Sequence, residues 1–597
     1  MSTQKTKDWF DISQQDIAKL FRTETEDEPI NKIALYVIGI FFTPITLIGA
    51  LIGYVRGYKK FMDPIDMPPK LGPLLPIVRV AMIIGAALIW VALFALYLIL
   101  PWVWVDVLGM NNKTLIYFLF GNFIFSVVAF IFFKKWQIGA ASVALEKDKF
   151  GSARFARPDE LAEFQKQNGL YIGGANTFSG MGHLLTVAGT RGGKGRGLII
   201  PNLLGMGNYS GSWVVIDPKA ENAAITARYQ RERGQNVVVL NPWGLLQENI
   251  GDAQNYNPLD ILSDRTSIHL IDDVAVIAEM IVPAESGGNN FFSDNARSIV
   301  TGLLLHLVTS IEDTKERTLT TLWKWLRYTG DDWNKLIADM RTNDDEANGL
   351  AVRMAGSEIM KLMEAGERTY GSIMAVALQS TSFLNSPALQ QSLSHGFDPA
   401  TLADGTTTVY VVIPADKLQS HSRWLRLVVT SMMRAVIRKP QNRVTFLLDE
   451  FAALGYMSEI EIALSTYAGY NVTVWAILQT LTQLANMYAK NWETFIANTA
   501  VKQYFSINDN FSANYISAAI GMTSHVIVTK TWFRIVGAQS NSRPLITPDE
   551  LRRESGTNMF VFINDKPAAI IPKIFYDQVD GLRGRYDGNP YIKSCPA

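Results

Sequence analysis

The stretch Ala188-Gly-Thr-Arg-Gly-Gly-Lys194-Gly195 constrains this chain more than any other, because it follows an apolar, strand-like run (His183 to Val187) and precedes a helix-like one. A glycine-rich turn in that setting lets successive backbone N–H groups converge on a phosphate, with the positive end of the next helix behind them. Lys194 adds a point charge for the β and γ oxygens. The pattern is that of a P-loop, and the first ligand expected is a nucleotide, cradled by Gly189, Thr190, Arg191, Gly192, Gly193, Lys194 and Gly195. Two positions depart from the usual motif. Ala188 stands in place of the first glycine, and Gly195 in place of the Ser or Thr whose hydroxyl would ligate Mg²⁺.

Far downstream, Val444-Thr-Phe-Leu-Leu-Asp449-Glu450 is an apolar strand ending in two carboxylates, which reads as a Walker B strand. It is expected to lie beside the P-loop strand, so that Asp449 holds Mg²⁺ through water and Glu450 orients the attacking water. The missing hydroxyl at Gly195 places more of the metal's positioning on Asp449. A further strand, Asn471 to Leu478, ends at Gln479, which from the tip of a strand beside Walker B can reach the γ-phosphate or its attacking water.

With 597 residues the chain is too long for one core and divides into several domains. Its 55 basic and 55 acidic residues balance, so net charge gives no support for nucleic-acid binding, although a local basic channel could hide in the average. A lone cysteine, Cys595, excludes an internal disulfide framework and any Cys-rich metal site. Three apolar segments, 33–54, 80–105 and 115–133, each approach the ~20 residues a helix needs to cross a bilayer. They predict an integral inner-membrane protein, and the polar segment 1–32 predicts no cleavable signal peptide. Lys and Arg cluster at 56–70 and at Lys134-Lys135, while 101–114 holds only Lys113, so that short loop is expected outside and the large C-terminal part in the cytoplasm. The basic residues of 1–32 also favour the cytoplasm, which three full spans forbid. Gly39, Pro44, Gly49 and Gly53 suit a re-entrant first segment, leaving 80–105 and 115–133 as the spans.

Beyond residue 148 the chain alternates strand-like and helix-like stretches, the pattern of an α/β fold with a parallel sheet covered on both faces. The long interval between Lys194 and Asp449 calls for an insertion, and 267–394 is its candidate. Helical periodicity recurs there at 295–308, 319–327, 332–341, 358–366 and 370–384, predicting an all-α domain between sheet parts at 148–266 and 395–597.

Several separate pieces, in one order, resemble the type IV secretion coupling proteins, the TraG group of conjugative DNA-transfer ATPases. They are Phe150-Gly-Ser-Ala-Arg154, Gly192-Gly-Lys-Gly with Ile200-Pro-Asn-Leu-Leu204, Asp217-Pro-Lys-Ala-Glu221, Leu448-Asp-Glu-Phe-Ala-Ala-Leu-Gly455, Gln479 with Gln483-Leu484 and Tyr488, Asn508-Asp509, and Arg543-Pro-Leu-Ile-Thr-Pro-Asp-Glu550. The resemblance implies a RecA-like motor domain with an all-α insertion, anchored by N-terminal transmembrane helices and assembled as a hexamer around a channel. It implies ATP and Mg²⁺ as ligands, with Lys194 and Thr190 on the phosphates, Asp449 on the metal, Glu450 as the catalytic carboxylate and Gln479 as the γ-phosphate sensor. The implied partners are single-stranded DNA, its relaxase and relaxosome proteins, and the type IV secretion channel. A ring also needs a cation from the neighbouring subunit, for which Arg426 is the candidate, with Arg191 and Arg368 as rivals. Two other readings stay open: a coupling ATPase for effector or toxin proteins, and a membrane docking receptor that turns nucleotide over slowly. Glu450 argues against the receptor, and the lack of a long acidic tail after Lys566-Pro567 favours DNA as cargo.

Overall fold

The computed structural model describes residues 150–166, 168–283, 290–531 and 534–592, with isolated positions at 84, 88, 91, 92, 95 and 124. Apart from those isolated positions, the segment 1–32 and the three apolar segments expected to meet the membrane lie outside the described residues; among the described residues no helix is long and apolar enough to cross a bilayer.

A small antiparallel hairpin, β1 (Leu170–Gly173) and β2 (Asn176–Phe178), leads into the main sheet. Seven strands run parallel there: β3 (His183–Ala188), β4 (Ser212–Asp217), β5 (Asn236–Leu240), β6 (Thr407–Val412), β7 (Val444–Leu448), β8 (Val472–Leu478) and β9 (Thr499–Phe505). Their spatial order is β9-β3-β8-β7-β4-β6-β5. A separate two-stranded sheet, β10 (Met522–Thr531) and β11 (Arg534–Pro544), follows. Finally β12 (Asn558–Ile563) and β13 (Ala569–Pro572) extend the main sheet beyond β9 with antiparallel pairing, making it mixed.

The sequence dictates this burial. β3, β4, β6, β7 and β8 are buried at every position, as uninterrupted β-branched and aromatic runs must be when helices cover both faces. Alternate residues feed opposite cores. Leu185, Val187, Val214, Ile216, Phe446, Leu448, Val474 and Ala476 point into one, and Leu184, Ala188, Trp213, Val215, Leu447, Trp475 and Ile477 into the other. The second core is closed by the β1–β2 hairpin and by α1 (Glu221–Glu232), whose Ala223, Ala224 and Ala227 let helix and sheet approach closely.

Between β5 and its sheet neighbour β6 the described chain is helical. Its main helices are α2 (Leu270–Ile281), α3 (Phe291–Ser310), α4 (Gly330–Arg341), α5 (Gly349–Glu364) and α6 (Glu367–Ser380). The helix expected over 358–366 is only the second half of α5, which starts two turns earlier behind Asn348. The apolar residues of these helices join the first core without a break, together with α7 (Ser422–Arg438), α8 (Ser458–Thr466), α9 (Leu481–Tyr488) and α10 (Asn510–Ile520).

One expectation is corrected. The strand ending in Asp449-Glu450 does not lie beside the P-loop strand, because β8 stands between them, pairing Leu185 with Ala476 on one side and Leu447 with Trp475 on the other. β8 is the longest of the fully buried apolar runs, and its Trp475 and Val474 need cover on both faces, so an interior position suits it best. The consequence is a row of three neighbouring strand tips carrying the P-loop, Gln479 and the acid pair.

Candidate active site

The P-loop leaves β3 at Ala188, a fully buried strand residue paired with Phe505, so a methyl group is accommodated where the usual motif has glycine. The turn closes with the Gly192 N–H donating to the Gly189 carbonyl at 2.9 Å. Arg191 (φ 60°) and Gly193 (φ 88°) adopt the left-handed conformation that recurs in phosphate-binding nests. Backbone crowding fixes two of the glycines. A Cβ on Gly189 would stand 2.3 Å from the Ser506 carbonyl oxygen, and one on Gly192 would stand 2.8 Å from the Gly189 oxygen. Gly195 differs: nothing lies within 4 Å of a Cβ there. Helical backbone begins at once, with the Gly197 N–H donating to the Gly193 carbonyl at 2.8 Å.

Lys194 reaches across to the acid pair. Its Nζ donates to Glu450 Oε1 at 2.7 Å and forms an ion pair with the buried Asp449 Oδ1 at 2.8 Å. Glu450 holds a left-handed backbone (φ 62°), a strained state for a non-glycine residue and a common mark of a functional turn. Gln479 completes the bridge: its Nε2 donates to Glu450 Oε2 at 3.1 Å, and its Oε1 accepts from Thr190 Oγ1 at 3.0 Å. The turn from β8 into α9 fixes that side chain, since the Gln479 N–H donates to Gln483 Oε1 at 2.8 Å while Thr480 caps the helix.

Electrostatics separate the two acids. Burial raises the Asp449 pKa, and the Lys194 ammonium only partly offsets this. For Glu450 burial also works against the charged form, but the Lys194 ammonium and the Gln479 amide outweigh it and hold the carboxyl below its ordinary range. Lys194 is itself held above the ordinary lysine value; burial opposes its charge, and the two acids prevail. The arrangement thus holds the Glu450 carboxyl below its ordinary range and places the Asp449 carboxylate, whose ion-pair partner is the Lys194 ammonium, as a hard oxygen donor of the kind Mg²⁺ takes.

Sequence reasoning placed Lys194, Thr190, Asp449, Glu450 and Gln479 in one cluster, and the structure brings them together. It does not bring Arg426 there. Arg426 is 8 % exposed, its Nε has no hydrogen-bond partner, and its neighbours are Arg423 and Tyr488, with burial lowering its pKa to about 10. Arg191 is exposed within the loop itself and Arg368 is exposed on α6. Three other residues stand at the cluster, of which only Asp217 belongs to a resembling piece, Asp217-Pro-Lys-Ala-Glu221. Asp217, at the tip of β4 beside β7, is fully enclosed, and burial, reinforced by the Asp449 charge, pushes its carboxyl up to about 7 even though the Ala223 N–H donates to it at 2.8 Å. Lys573 and Phe575 arrive from just beyond β13. The Phe575 ring lies 2.8 Å from where a Gly193 Cβ would stand, and the Arg196 guanidinium sits 4.5 Å from the ring's centroid.

Residues 137–585 match the family model described as Type IV secretory system Conjugative DNA transfer. The chain belongs to that family. Curated relatives include the conjugal transfer protein TraG of Rhizobium radiobacter, 26 % identical over 65 % of this chain, and the protein VirD4 of Agrobacterium fabrum, 27 % identical over 66 %. The chain spans about three-fifths of the length of those relatives, 61 % and 58 % respectively. Among solved structures, the bacterial conjugative coupling protein TrwB lacking its N-terminal region matches with a TM-score of 0.55 at 16 % identity, covering 72 % of this chain and 97 % of that one. TrwB in complex with ADP and Mg²⁺ matches with a TM-score of 0.53 at 15 % identity, covering 73 % of this chain and 97 % of that one. The family's fold is therefore the mixed α/β sheet described above.

Proposed function

We propose that this protein is an ATP hydrolase that couples relaxase-bound single-stranded DNA to a type IV secretion channel during conjugation. The observation that carries the proposal is the cluster Thr190–Gln479–Glu450–Lys194–Asp449 at three adjacent strand tips, in a member of a conjugative DNA-transfer family. The RecA-like motor domain, the helical segment at 267–394 as an inserted domain, the inner-membrane anchor in the first 135 residues and a hexameric ring are parts of the same proposal. They rest on the sequence pattern and on the family. The binding of ADP and Mg²⁺ recorded for TrwB supports the choice of ligands.

Each residue's part follows from its surroundings. The N–H groups of 189–195 and the Lys194 ammonium bind the phosphates, and the Asp449 carboxylate, once Lys194 turns to the phosphates, would hold Mg²⁺. When bound, the ion would offset negative charge on the β and γ oxygens. Binding of a triphosphate draws Lys194 off the acids towards the phosphates, and the Glu450 carboxylate, still hydrogen-bonded by Gln479, accepts a proton from the attacking water. Gln479, hydrogen-bonded to both Glu450 and Thr190, connects the state of the phosphate loop to the acid pair. ATP hydrolysis by the purified full-length chain, measured with and without single-stranded DNA, tests the proposal. Glu450→Gln is expected to keep MgATP affinity and lose at least a hundredfold in kcat, and Lys194→Ala to lose binding. DNA should stimulate the wild-type rate. Full activity in both variants would exclude the motor, and an unchanged rate with DNA would shift the cargo to protein.

A further inference from the structure

The phosphate loop is also gripped from outside by a residue nearly four hundred positions away in the sequence. Lys573 Nζ lies 3.0 Å from the Ser506 hydroxyl and 3.4 Å from the Gly192 carbonyl oxygen, and the Ser506 hydroxyl donates to that same carbonyl at 3.4 Å. The Phe505 ring stands 5.5 Å from the ammonium. Both supports are themselves anchored. Ser506 holds a left-handed backbone (φ 50°) with its N–H on the Ser555 carbonyl at 2.7 Å, and the Lys573 N–H donates to the Thr557 carbonyl at 3.1 Å. Lys573 is half-buried, burial alone lowers its pKa, and no carboxylate among the described residues pairs with it. A desolvated ammonium facing a hydroxyl and a carbonyl is an expensive way to hold an edge strand, because a neutral donor would serve as well.

The peptide between Gly192 and Gly193 explains what the charge does. A trans peptide points its carbonyl and its N–H in opposite directions. Two donors at 3.4 Å draw the Gly192 carbonyl towards Ser506 and Lys573 and so turn the Gly193 N–H the opposite way, at the position where Gly193 takes φ 88°. A cation on the carbonyl also polarises the peptide and makes that N–H a stronger donor. We infer that Lys573 is a positioning residue for nucleotide binding: with Ser506 it pins the Gly192 carbonyl and so aims the Gly193 N–H at the bound phosphates. The inference rests on the nucleotide reading of the site.

The test is binding of a fluorescent MgATP analogue, and of inorganic pyrophosphate in competition, to the full-length chain carrying Lys573→Met, Lys573→Arg or Ser506→Ala. Lys573→Met is expected to weaken both ligands about tenfold, roughly the worth of one well-aimed hydrogen bond. KM should rise by the same factor, while kcat changes less than twofold and the melting temperature without nucleotide stays put. Lys573→Arg should restore affinity to within threefold, and Ser506→Ala should weaken it about threefold. A Lys573→Met protein that melts earlier but binds MgATP within twofold of wild type would overturn the inference, leaving Lys573 a packing element. Should Lys573→Met fail to fold, wild-type affinity in Ser506→Ala would overturn it instead. Failure of the parent reading looks different, because the wild-type chain itself would then bind no MgATP.

Discussion

Glycines that look alike in the loop have unlike duties. Gly192 is wedged between the Gly189 carbonyl and Ser506, so Gly192→Ala pushes backbone against backbone, which costs about 1–3 kcal/mol in a packed site. Its nucleotide affinity should fall more than tenfold in a binding titration. Gly195 faces open space in helical backbone, so Gly195→Ser is expected to keep the fold and gain about 0.5 kcal/mol of helix propensity, visible as a slightly higher melting temperature. It should also lower the Mg²⁺ concentration needed for half-maximal hydrolysis, since the new hydroxyl stands where P-loops usually place a metal ligand. His183 offers a pH test. It is buried at the start of β3, its Nδ1 accepts from the Val474 N–H at 3.0 Å, and burial, with the Arg443 charge, drops its pKa to about 4. A depressed folded pKa contributes stability above the unfolded value of about 6.5 and loses it as pH falls through the folded value. Unfolding of the purified chain should therefore show a loss on the order of 3 kcal/mol between pH 6.5 and 4 from this group, and His183→Asn should flatten that slope.

At the scale of elements, the helix after the acid pair is tied to the helical segment by buried charges. Arg434 on α7 meets Glu459 on α8 at 3.1 Å and Asp273 on α2 at 3.6 Å, Arg438 also pairs with Asp273, and the Tyr467 hydroxyl donates to Glu459. Ser458 adds a bond to Glu279 of α2 at 2.8 Å. Glu459→Ala would strand a largely buried guanidinium, a loss of about 3 kcal/mol that chemical denaturation can measure. None of this network was legible in the sequence, whereas the strands were. β6, β7 and β8 announce themselves as apolar β-branched runs, and the P-loop and acid pair as strand ends with the right residue types. Their neighbours were not legible, because which strand sits between β3 and β7 depends on pairings between residues hundreds of positions apart. For the same reason Lys573 and Phe575 carried no local signal, and Arg426, on an amphipathic helix, gave no sign that its face turns inward.

On the scale of the whole molecule, the proposed ring implies that the site described here is only part of a working centre. Within one chain the cluster holds Lys194 as its cation, and Arg426 lies buried apart from it. If subunits complete each other's sites, specific hydrolysis should rise more than linearly with protein concentration, and a rate strictly proportional to concentration over a hundredfold range would argue for self-sufficient subunits. The edge hairpin adds a constraint of another kind. Because β12 and β13 bring Lys573 and Phe575 against a loop formed at residue 189, a ribosome must pass nearly four hundred codons between making the first wall of the pocket and making the last. Prematurely terminated products would then lack a finished pocket.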